Sequence, residues 1–94
     1  MHVPRTYLVE CYCPDVTEAG LVQRAARVDA AAREPGAHGR CVEFLGGLLI
    51  PGDEVSFWRF AGDSRQEVEA ASARAGLVVA RVRESIEYDR SRLP

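Results

Sequence analysis

Near the middle of the chain, Pro51-Gly52 separates two runs of strand-forming residues, Cys41 to Ile50 and Glu54 to Phe60. Proline fixes φ and glycine allows it to be positive, so the pair turns the chain back and predicts a hairpin. Within the first run, Gly46-Gly47 breaks the period-two alternation and predicts a bulge or sharp bend. The hairpin constrains the rest of the fold because the signals on its two sides come in opposite order. A strand and then a helix precede it; a helix and then a strand follow it.

Upstream, Tyr7-Leu8-Val9-Glu10-Cys11-Tyr12-Cys13 is aromatic and β-branched and stops at Pro14-Asp15, which reads as a strand ending in a turn. Asp15 offers a helix cap with Glu18 three residues later. Leu21, Ala25, Val28 and Ala32 then draw one apolar stripe, with Arg24, Arg27 and Glu34 away from it, until Pro35-Gly36 ends the helix. Downstream, Ser64-Arg65-Gln66-Glu67 is a capping box, Val68, Ala71 and Ala75 are the buried stripe, and Gly76 supplies a left-handed stop. Leu77 to about Tyr88 reads as the last strand, and Asp89 to Pro94 as a polar, frayed tail.

Strand-helix-strand, hairpin, helix-strand is the split βαβ arrangement, an α+β, ferredoxin-like fold whose antiparallel sheet has the strand order 4-1-3-2. A chain of 94 residues is one domain, 1–94, with its core between 5 and 88. Both helices cover the same sheet face in this topology, and the other face has no cover within the chain. A domain this small buries about 60–65% of its unfolded surface and gains from a partner.

The formal charge of -2 gives no electrostatic reason to expect nucleic acid or an acidic membrane. All 12 basic residues besides the histidines are arginine, the mark of GC-rich coding. No run approaches the ~20 apolar residues of a membrane span, and Met1-His2-Val3-Pro4-Arg5 lacks the order of a signal peptide. Three cysteines cannot all pair within one chain, and a reducing cytoplasm is the simplest reading.

Alternation assigns Tyr7, Val9, Cys11, Val55, Phe57, Val82 and Ile86 to the helix side. It assigns Leu8, Glu10, Tyr12, Cys41, Glu43, Leu45, Trp58, Phe60, Arg81, Arg83 and Ser85 to the uncovered side. A face that mixes large apolar residues with charges suits either the stacking of two sheets into a dimeric α/β barrel or the lining of a pocket. The first arrangement often creates the second. Glu10, Tyr12, Glu43, Trp58, Arg81 and Arg83 are the expected pocket residues. Glu10 is set to face Arg81 or Arg83 across the ladder, either as an ion pair fixing register or as a carboxylate usable as ligand or base. Trp58 is expected to anchor the interface.

Metal binding has two arrangements to test. Cys13 ends the first strand and Cys41 begins the second, which puts them on the order of 20 Å apart and rules out a site made of all three cysteines. His2, His38 and Cys41 fall toward one end of the sheet and form the candidate metal set, with a spacing unlike the standard zinc patterns. Glycine pairs at 46–47 and 51–52 fit no phosphate-binding loop. Glu10 on a central strand argues against the RNA-recognition use of this topology.

The segment from Pro51 to Phe60, followed by Ser64 to Leu77 and Arg81-Val82-Arg83-Glu84-Ser85-Ile86, together with the opening Tyr7-Leu8-Val9-Glu10, resembles the small bacterial domains of unknown function named DUF4242. The likeness spans residues 7 to 87. It implies a ferredoxin-like fold, commonly a dimer, and, from members described as nickel-binding proteins, nickel or another divalent transition metal as cofactor. The expected function is therefore a small cytoplasmic homodimer with a ligand or metal pocket on the uncovered face. The alternative is a cofactor-free α/β-barrel enzyme, monooxygenase- or isomerase-like, with Glu10 as its catalytic base and Trp58 and Tyr12 shaping the pocket.

Overall fold

The computed structural model describes residues 5–14, 16–36, 39 and 42–94. Four strands, β1 (Arg5–Tyr12), β2 (Glu43–Ile50), β3 (Val55–Gly62) and β4 (Val79–Ser85), form one antiparallel sheet in the order β2-β3-β1-β4. Helices α1 (Glu18–Arg33) and α2 (Arg65–Arg74) contact each other and pack on one face of it. This is the expected topology. No helix among the described residues is long and apolar enough to cross a membrane.

Local chemistry sets the helix ends. Ser64 Oγ accepts from the Glu67 N–H at 3.3 Å, as the capping box predicts. At the other end of α2, the Leu77 N–H reaches the Ser72 carbonyl at 3.1 Å and the Gly76 N–H reaches Ala73 at 3.0 Å. Gly76 has φ 75°, so this is a Schellman stop that glycine makes without strain. Helix α1 is capped by Thr17, whose Oγ1 accepts from the Gly20 N–H at 3.0 Å, and not by Asp15, which lies outside the described residues. Arg74 then ties the two helices together, donating to the Ala31 and Glu34 carbonyls at 3.0 and 3.1 Å at the end of α1.

Val28, Ala31 and Ala32 of α1 and Val68 and Ala71 of α2 close over Tyr7, Val9, Cys11, Trp58, Phe60 and Val82. Strand β3 therefore runs in the opposite phase to the expectation: Trp58 and Phe60 face the helices, and both are fully buried. The register requires it, because Val9 lies opposite Trp58 and Tyr7 opposite Phe60, and directly paired residues share a face. Val55 and Phe57 move to the uncovered side, and Ile86, beyond the end of β4, is 88% exposed instead of belonging to the core. Strand β2 accommodates the tryptophan. Its register shifts between Phe44 and Gly46, the predicted bulge, and brings Gly47 opposite Trp58.

A side chain at position 47 has no room. A Cβ there would lie 2.8 Å from Trp58 Cε3 and 3.1 Å from the Phe57 carbonyl oxygen. Gly47→Ala is expected to lose about 1–3 kcal/mol through overpacking, measured as the shift of the urea unfolding midpoint. Gly52→Ala, with nothing within 4 Å of the added carbon, is the control. Equal midpoints for the two variants would mean that the indole does not rest on β2 in solution.

Candidate functional site

The face opposite the helices is organised in rows that the strand register defines. One row is Leu48, Phe57, Glu10 and Arg81; the next is Gly46, Arg59, Leu8 and Arg83. Beyond Leu48 and Phe57, Ile50, Val55 and Tyr12 share a third row. Most of the apolar side chains thus lie toward β2 and β3, with Leu8 on β1, and the charges of Glu10, Arg81 and Arg83 lie on β1 and β4, with Arg59 on β3.

Glu10 is the centre of the charged part. Its side chain is 22% exposed, and one oxygen, Oε1, lies 3.6 Å from Arg81 Nε and 3.7 Å from Arg83 Nη2. The sequence expectation named either arginine as its partner, and the fold brings both. Neither contact is short enough to be a hydrogen bond. With the arginine side chains 55% and 61% exposed, these pairs contribute about 1 kcal/mol or less to stability.

The other expected pocket residues are dispersed. Trp58 is in the core, 0% exposed, and its indole N–H donates to Ser56 Oγ at 2.8 Å, so it neither anchors an interface nor shapes a pocket. Tyr12 is on the uncovered face at the far end of β1, where its hydroxyl donates to Glu54 Oε2 at 3.2 Å. Glu43 begins β2, opposite Ala61 and level with Thr6, about 16 Å from Glu10 by strand geometry. His2, His38 and Cys41 lie outside the described residues.

Cys11 and Cys13 both point into the core. Cys13 Sγ lies 2.9 Å from Ser56 Oγ and accepts from Arg24 Nη1 at 2.7 Å. Ser56 Oγ thus sits between the tryptophan N–H and the Cys13 sulfur. Burial, reinforced by neighbouring Cys13, pushes the Cys11 thiol up to about 12. These are packed core thiols and not ligands on the open face.

Two features of the face were missed at the sequence level. Arg59 and Phe57 are on it, and the charge at 59, alternating with Val55 and Phe57, was the available signal. The segment after β4 also returns to it. Glu87 Oε1 and Oε2 accept from Arg59 Nε and Nη2, each at 2.8 Å, a bidentate pair. Thr6, Arg59 and residues 87–90 and 92 line a cleft of about 510 Å³ beside this clasp. The hydrogen bonds from Arg59 hold the Glu87 carboxyl below its ordinary value of 4.5.

Two titrations test this geometry. A lowered carboxyl adds stability that is present above pH 4.5 and lost as pH falls through its folded value. The Glu87 carboxyl carbon is expected to titrate below 4.5 in an NMR experiment and to move up toward it in Arg59→Gln; equal midpoints would mean that the clasp is open in solution. The Cys11 proton works in the opposite sense. The unfolded thiol ionises near 9.0 and the folded one near 12, so stability is full below pH 9 and declines across that window. Iodoacetamide at pH 8 is accordingly expected to leave Cys11 unmodified in the native protein and to alkylate it in urea, located by peptide mass spectrometry.

Neither a protein-family model nor a curated relative matches the chain. Among solved structures, the fold is similar to the crystal structure of SCO4226 from Streptomyces coelicolor A3(2), with a TM-score of 0.75 over 89% of this chain and 99% of that one. At 16% sequence identity, this likeness concerns the fold alone.

Proposed function

We propose that the chain is a homodimeric binding protein of the DUF4242 kind, acting in the cytoplasm, in which two copies lay their uncovered sheet faces together and enclose a small-molecule site around Glu10, Arg81 and Arg83. The observation that carries this reading is Glu10 itself. It is a carboxylate in the middle of a sheet face, largely withdrawn from water, with guanidiniums on one side and Phe57 and Leu48 on the other. A monomer gains nothing from placing Leu48, 49% exposed, and Ile50, 39% exposed, beside such a cluster, whereas a facing layer would bury them. The unpaired thiols of Cys11 and Cys13 suit a reducing compartment.

No three histidine, cysteine or acidic side chains converge among the described residues, and the candidate nickel set His2, His38 and Cys41 lies outside them. The one carboxylate central to the face already has two cations beside it, which oppose the entry of a third. The same neighbours favour Glu10 as a counter-ion in a binding site over Glu10 as the base of a cofactor-free enzyme.

Native mass spectrometry of freshly purified protein is expected to give twice the 10.3 kDa chain mass, with any stoichiometric metal found by elemental analysis of the same sample lost in His38→Ala and kept in Glu10→Gln. A monomer at micromolar concentration would overturn the enclosed site. Stoichiometric nickel would move the site away from Glu10.

A further inference from the structure

The uncovered face does not balance its charges in the central rows, away from Glu43 at the start of β2, and the excess has a definite place. Its central rows hold Arg59, Arg81 and Arg83 against Glu10, and Glu87 from the C-terminal segment occupies Arg59 through two hydrogen bonds. What remains is two guanidiniums for one carboxylate. Arg81 and Arg83 are two residues apart on one strand and so share a face, their Cα atoms about 6.6 Å apart. Among the described residues their one acidic partner is Glu10, and both approach the same oxygen of it, at 3.6 and 3.7 Å. At those distances the guanidinium N–H groups are not engaged by the carboxylate. Each guanidinium carries five donors in a planar fork that matches a carboxylate.

Leu8 lies opposite Arg83, and Phe57 lies opposite Glu10 with Leu48 beyond it. A path from the paired arginines across the sheet therefore runs from cationic to aliphatic at Leu8 and aromatic at Phe57 within two strand spacings, about 10 Å, and reaches Leu48 at three, about 14 Å. We infer that the site takes a small organic carboxylate, its anionic end on Arg81 and Arg83 and its apolar body on Leu8, Phe57 and Leu48. This rests on the uncovered face being the binding site proposed above, and adds to it the chemical class of the ligand. Glu10 then has a specific part. It holds the two guanidiniums near each other in the empty site, and it opposes the incoming anion, which sets the affinity low enough for release.

The sign of the Glu10 effect distinguishes this site from a cation site or a general-base site. Benzoate is the probe, titrated into 15N-labelled full-length protein and followed through the side-chain Nε–H signals of the arginines and the backbone signals of β1, β3 and β4. Saturable shifts at Arg81, Arg83 and Phe57 are expected, with benzamide giving none. Arg83→Gln and Arg81→Gln, exposed positions whose folding the same spectra report, are each expected to weaken benzoate about tenfold. Glu10→Gln is expected to tighten it. No saturable shift with benzoate, or weaker binding in Glu10→Gln, would overturn the inference. Inorganic phosphate binding as tightly as benzoate would also overturn it, because the site would then read charge without an apolar body. Native mass spectrometry of the same samples separates the two readings: a dimer indifferent to benzoate sinks the ligand class and keeps the assembly, and a monomer that binds benzoate does the reverse.

Discussion

The packing of Trp58 against Gly47 is the constraint from which the two faces of this sheet take their character. An indole is the largest side chain the core holds, and its ring occupies the space a Cβ at position 47 would need. Its polar atom is satisfied inside, by Ser56 on the same face of the same strand. Once those three positions are fixed, the phase of β3 is fixed, and with it the residues left for the opposite side: Val55, Phe57 and Arg59. The bulge in β2 belongs to the same solution, because it brings the glycine under the ring. A network continues outward from Ser56 through the Cys13 sulfur to Arg24 on α1, so α1 is tied through these groups to β3.

The uncovered face inherits an uneven distribution of charge from this arrangement. Most of its large apolar residues come from the hairpin, and its central cluster of Glu10, Arg81 and Arg83 comes from β1 and β4, the two strands that the helical crossovers bring together. Glu10, drawn between two arginines, gives a polar centre that water reaches only partly. The Arg59–Glu87 clasp then brings the chain beyond β4 back to the end of the sheet near Thr6. The proposed carboxylate site occupies what these neighbours leave open.

Much of the fold was legible in the sequence because its punctuation is local. Ser64 and Glu67, Gly76 and the glycine pair at 46–47 each act within a few residues, and each does in the structure what its chemistry demands; Pro51-Gly52 makes its turn, with the positive φ falling at Glu54 (55°) and not at Gly52. Strand order followed from topology, and the facing of Glu10 with Arg81 and Arg83 followed from strand order. The phase of β3 did not follow, because both of its faces are apolar: Val55 and Phe57 alternate with Trp58 and Phe60, and periodicity ranks neither set. Which set is buried is decided by the partner strand, in particular by whether it offers room for an indole. Arg59 was the one local clue, a charge in the set with Val55 and Phe57. Glu87 was beyond reach for a different reason, since a residue past the last strand carries no pattern that says where the chain turns next.

The two register shifts in the sheet fall on its two outermost strands, one at Leu45 in β2 and one at Ala80 in β4. A strand at the margin of a sheet offers unpaired backbone groups to any passing chain, and an extra residue breaks the even spacing such an addition needs. Sideways growth into a ribbon is thereby discouraged at both margins. The broad face is not interrupted in this way, so another layer placed on this sheet meets less resistance than another strand placed beside it.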